Sequence, residues 1–306
     1  MPVTNDGLTG VAAVLDLLQR RYDPDDPLYR HLPGKHDQAD HGRRRGLRPS
    51  LAKAKTTAEI AAVVSGEASR LIGDHIAVDF SGADVEVARQ FGEGILQGVE
   101  RFPATPLREV GTYGPGGSDT HNARTANASK SESEGATAFA LTGGERTAEG
   151  GQYEVPRAKL PNGTHTTGTA IYLNLRHATP AHWKNREGFH TLVASGRLSG
   201  GQPHVGISPK GVALHEFGHS IAHHGRPEQP EFEVGRANRT KAAAAGMDAK
   251  THASRISRYA GTNDAELTAE MFADVMLNGK KAHALSKELF EVFELNVKGW
   301  EQEVMP

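Results

Sequence analysis

One segment of this 306-residue chain has residue types and spacing suited to hydrolytic chemistry: His215-Glu216-Phe217-Gly218-His219. On a helix, His215 and His219 lie one turn apart on the same face, so both imidazoles can reach a single ion. Glu216 stands about 100° around the helix from His215. It is then beside the ion without pointing straight at it, which suits a base acting on metal-bound water. Leu214, Phe217 and Ile221 gather on the opposite side, as expected of a helix whose back lies in a core and whose front lines a cleft.

A catalytic zinc site takes three protein ligands and leaves a fourth position open for water. A metzincin would carry glycine and histidine at the positions occupied here by Ala222 and Gly225, which removes that class. Gly261-Thr262-Asn263-Asp264 is similar to the corresponding stretch of aspartate-ligand zincins but lacks the Tyr-Gly that follows there. The remaining candidate is Glu266. On a helix Glu266 and Glu270 share one face while Phe272 and Met276 turn toward a core. One carboxylate could bind the ion while the other holds a ligand imidazole from behind. Asp264 and Glu270 stand as the alternative ligands.

The two blocks together, His215–His219 and Ser257–Phe272, resemble the catalytic domain of anthrax toxin lethal factor and its relatives, the glutamate-ligand zinc endopeptidases or gluzincins. Ser257, Tyr259, Thr262, Asn263, Glu266, Ala269 and Glu270 fit the second block of that family's motif. The resemblance runs from His215 to about Leu277. It implies a zincin-like fold in which His215, His219 and Glu266 bind Zn2+, Glu216 is the general base and Tyr259 stabilises the transition state. Leu267 and Thr268 depart from the aromatic or apolar residues usual there, which bears on local packing. A second, shorter string, His31-Leu32-Pro33-Gly34-Lys35-His36-Asp37-Gln38 with His41-Gly42, resembles a motif of structural and head-morphogenesis proteins of tailed bacteriophages.

These residues need a framework. A capping box at Thr56-Thr57-Ala58-Glu59 predicts that regular structure resumes near Thr56, with Ile60, Val63, Val64 and Leu71 on one helix face. Val87, Phe91, Ile95, Val99 and Phe102 predict a second helix, ended by Pro103. Gly111–Gly135 reads as a long mobile loop, followed by strands at Thr137–Leu141 and Thr169–Leu175. Helices are predicted at Pro180–Ser195, from near Lys210, at Asp264–Leu277 and at His283–Val297. The layout is α+β with a small mixed sheet. Residues 1–50 read as a short helix and a disordered linker, and residues 51–306 as the metallopeptidase domain. Asn174 is expected along the cleft edge, where an extended peptide could pair by strand addition.

Composition narrows the function classes. A formal charge of −2 and a pI near 6.8 lack the basic footprint of a nucleic-acid binder. No run approaches the ~20 apolar residues of a membrane span. Gly10–Leu15 lacks the flanking basic residues and the length of a signal peptide, so a cytoplasmic or virion-associated protein is expected. The absence of cysteine removes thiol nucleophiles and thiolate metal sites. The expected partners are a protein or peptide substrate and, from the phage-like string, phage structural proteins. The competing reading is a non-catalytic phage structural or scaffold component that keeps a zincin-like fold, a role that has no use for Glu216.

Overall fold

The computed structural model describes residues 48–117, 122, 138–142, 155–160, 162–184, 205–222 and 230–304. The expected N-terminal helix and linker, the phage-like string, residues 118–121 and 123–137, and residues 185–195 of the expected helix from Pro180 lie outside them. Regular structure is present ahead of Thr56: helix α1 spans Arg48–Lys53, and Leu51 is buried. Arg89 holds this segment through the carbonyls of Leu51 and Ala54. Helix α2, Thr57–Ile72, begins with the expected capping box, Thr56 and Glu59 each bonding the other's backbone N–H. Helix α3, Val85–Arg101, is capped by Asp84 and buries Val87, Phe91, Ile95 and Val99.

Four strands form a mixed sheet in the order β1 (Ala77–Asp79), β2 (Leu107–Tyr113), β6 (Thr169–Asn174), β3 (Ala138–Thr142). β1, β2 and β6 run parallel, and β3 pairs antiparallel to β6 with Ala140 opposite Ile171. β4 (Ala158–Lys159) and β5 (His165–Thr166) form a separate small ladder.

Two expectations change here. Gly111, Thr112 and Tyr113 are not loop but the carboxyl half of β2, buried and paired with β6, with Gly111 also opposite Asp79 of β1. Their polar, glycine-rich composition is tolerated because the ladder satisfies their backbone groups. β6 is an inner strand rather than a cleft edge, and all six of its residues are buried. Asn174 is therefore not available for strand addition; its side chain caps the turn that follows.

The 3-10 turn Leu175–His177 and helical residues 180–184 follow β6. Helices α4 (Pro209–Ala222), α5 (Pro230–Ala244), α6 (Ala249–Ala253), α7 (Asp264–Asn278) and α8 (Ala284–Val304) complete the described chain. The fold is α+β with a small mixed sheet. α4 lies between α3 and α7, and glycine permits the close approach on both sides. A Cβ on Gly98 would fall 2.6 Å from the Phe217 ring, and one on Gly218 would fall 3.1 Å from the Ala269 Cα. Phe217 stacks on Phe272 with ring centres 6.0 Å apart, and Phe272 meets Phe102, Phe290 and Phe293. This aromatic core ties α4 to α7, with contributions from α8 and the end of α3.

Gly98→Ala should therefore destabilise the protein by about 1–3 kcal/mol through overpacking. Gly66→Ala, where an added Cβ meets nothing within 4 Å, should be neutral or stabilising by roughly 0.5–1 kcal/mol. Urea denaturation of the two variants checks this, and equal effects would mean that the α3–α4 contact is not tight.

Candidate metal centre

α4 carries His215, Glu216 and His219 with Leu214, Phe217 and Ile221 fully buried behind them. The apolar face fixes the helix's rotation, so the two imidazoles emerge together on the other side. The third group arrives through a chain of local hydrogen bonds. Ser257 Oγ accepts the Ala260 N–H at 3.0 Å, and the Tyr259 carbonyl accepts the Thr262 N–H at 2.9 Å and the Thr262 hydroxyl. Asn263 caps α7 by accepting the Glu266 N–H at 2.8 Å. The Tyr259 hydroxyl donates to Glu266 Oε1 at 3.1 Å. Ser257, Thr262 and Asn263 thus shape the turn that carries Tyr259 and Glu266. Leu267 enters the core, and the Thr268 hydroxyl returns to the Asp264 carbonyl at 2.8 Å.

The result is a tight triangle of ligand atoms. Glu266 Oε2 lies 3.1 Å from His215 Nε2 and 3.4 Å from His219 Nε2, and the two Nε2 atoms are 3.2 Å apart. Donors about 2.0–2.1 Å from a shared tetrahedral centre have edges of roughly 3.3 Å, so the three groups fit one metal ion. Among the described residues, His215, His219 and Glu266 form a group of three ligand side chains close enough to hold one ion. Asp264, the alternative ligand, is instead paired with Arg239 at 2.6 Å.

Glu270 sits behind the triangle with 0% exposure. Its Oε1 is 2.9 Å from His215 Nδ1, and its Oε2 accepts the Val205 N–H. This contact favours the proton on Nδ1 and leaves the Nε2 lone pair facing the ion site. Glu216 is 7% exposed and does not join the triangle; its carboxylate accepts the Ala140 N–H of β3. Tyr113, at the end of β2, bonds Asn174 and lies within electrostatic reach of Glu216. The Val110-Gly111-Thr112-Tyr113 run had the β-branched and aromatic character of a strand, the signal that would have placed this tyrosine. The Ala140 and Val205 donors are backbone groups that no residue type announces.

The charges are strongly coupled. Burial raises the Glu216 pKa, and the nearby Glu266 charge adds to this against the opposing pull of His215 and His219. Burial also opposes ionisation of Glu266, but the two imidazoles overcome it and hold this carboxyl well below the usual range. Burial likewise works against charge on His215, yet Glu266 and Glu270 raise its pKa well above the ordinary value. Burial and the surrounding carboxylates keep the Tyr259 phenol protonated. Comparison of the chain with family models, curated proteins and solved structures finds no match, so the functional reading rests on the geometry of these residues.

A pH signature follows. His215 titrates above its ordinary 6.5, so its contribution to ion-free stability is complete below 6.5 and is lost as pH rises through the raised value. Glu266 titrates below its ordinary 4.5, so its contribution is present above 4.5 and is lost as pH falls through the lowered value. Metal requires neutral imidazoles and an ionised carboxylate. The gain in Tm on adding Zn2+ should therefore be larger near pH ~8 than near pH ~5.5, as thermal melts would show. Equal gains at both would contradict this coupling.

Proposed function

We propose that this protein is a zinc-dependent endopeptidase of the gluzincin type with a zincin-like fold. The observation that carries the reading is the convergence of His215, His219 and Glu266 on one ion position beside the buried carboxylate of Glu216. Two imidazoles and one carboxylate suit Zn2+ and leave a coordination position open. When bound, the ion supplies Lewis acidity, acidifying water and polarising a peptide carbonyl.

The chain's own groups do the rest. Glu216, with its pKa raised, accepts a proton from the attacking water and passes it to the leaving amine. Tyr259, kept protonated beside Glu266, turns its single hydroxyl proton from Glu266 to the oxyanion as it develops. Glu270 holds His215 in place throughout. An extended peptide seats along β3, which pairs only with β6 among the described residues; main-chain bonds to such an edge recognise a backbone without demanding a particular sequence. The phage-like N-terminal string supports a phage or prophage setting, with a capsid, scaffold or host protein as substrate. Glu216 argues against the non-catalytic alternative, because a purely structural ion site needs its ligands but no buried carboxylate beside them.

Glu216→Gln should keep zinc and abolish cleavage. Tyr259→Phe should keep zinc and lose roughly 10²–10³ in kcat with little change in KM, the cost of one oxyanion donor. Glu266→Ala should lose metal and stability together. A peptide-library cleavage profile combined with metal analysis of each protein tests the set. A parent protein that holds zinc at this site and cleaves nothing would establish the structural reading instead.

A further inference from the structure

A second pair of imidazoles meets at the carboxyl end of β6. Asn174 Oδ1 accepts the Arg176 N–H at 3.0 Å and caps the turn Leu175–His177. The Ala178 carbonyl, just beyond, accepts the Asp84 N–H at 3.1 Å and so anchors the turn to the start of α3. Pro180 opens the helical residues 180–184, a favoured first position for proline, and the Thr179 hydroxyl accepts the His182 N–H at 3.4 Å. These local bonds bring His177 and His182, both half-buried, side by side. Their Nδ1 atoms are 3.2 Å apart, with ring centres 4.3 Å apart and planes tilted by 44°. Trp183 meets His182 edge-on, with ring centres 5.2 Å apart.

The geometry separates two explanations. Rings sharing one well-aligned N–H···N bond lie end to end, which sets their centres far apart. Here the centres are closer than the 4.8 Å of His215 and His219, although the N···N separation is 3.2 Å in both pairs. The nitrogens converge from neighbouring rings, as they do at the first site. We propose that His177 and His182 bind a second divalent ion through both Nδ1 atoms. Imidazole donors select Zn2+, Co2+ or Ni2+ over Mg2+ and Ca2+, which take oxygen. With two imidazole ligands among the described residues in place of three ligands, this site is expected to be weaker than the first. It stands independently of any peptidase activity.

Titration of the ion-stripped full-length protein with Co2+ tests this. His177→Gln and His182→Gln should each bind one equivalent fewer than the parent, and the tighter equivalent should be unchanged. Glutamine still hydrogen-bonds, so a pair joined only by a hydrogen bond would leave the metal count untouched. Variants that bind as many equivalents as the parent overturn the site. A second measurement needs no change at either histidine. The chain has two tryptophans, and in a Trp300→Phe background the weaker Co2+ equivalent should quench Trp183 fluorescence. Saturation without quenching would also overturn it.

Discussion

Three carboxylates, Glu216, Glu266 and Glu270, face two imidazoles in one largely buried pocket. Burying unpaired charge costs several kcal/mol per ion, and the surrounding architecture can be understood as the means of meeting that cost. Each carboxylate receives a donor from a different part of the chain: Glu216 from β3, Glu270 from the segment entering α4, Glu266 from the turn before α7. The site therefore gathers the fold around itself as much as the fold positions the site. Protonation of His215 can lessen the excess negative charge. A divalent cation would do so more completely, with donor atoms already spaced to receive it.

The apolar side of the same elements keeps this balance from dissipating through movement. Phe217 adjoins Glu216 in sequence, and Phe272 lies just beyond Glu270; their stacked rings fasten the two ligand helices from behind. Gly98 and Gly218 remove the side chains that would hold the helices apart. Closely packed interiors have low compressibility and transmit strain. A change of volume behind α4 is therefore felt at the imidazoles even though it touches neither.

The parts legible in the sequence were those whose signals are local. The capping box at Thr56, the periodicity of Val87 to Val99, and the helical spacing of His215 and His219 depend on residues within a turn or two of one another. The grouping of Glu266 with the histidines was legible because Ser257, Tyr259, Thr262 and Asn263 form a self-contained hydrogen-bonded turn. The end of strand β2 was hidden because Gly111 opens a long stretch rich in Gly, Ser and Thr that reads as loop, and that composition masked the β-branched and aromatic character of Val110, Thr112 and Tyr113. Helix α5 was hidden because it buries mainly small or polar residues, Gly235, Asn238 and Ala242, beside Val234. Asn174 was expected along a cleft edge, but β6 is covered on both faces, Ile171 and Leu173 packing on one side and Ala170 and Tyr172 on the other. Coverage of both faces is a property of the assembled chain.

The contact of the Ala140 N–H with Glu216 joins β3, the end strand of the sheet among the described residues, to a titratable group. A proton on that carboxylate weakens its hold on β3, and anything that draws the strand outward changes the carboxylate's appetite for a proton. Thermodynamic reciprocity makes the two effects equal in size. A peptide seated along β3, as proposed above, would therefore be linked to proton affinity inside the pocket through this one peptide group.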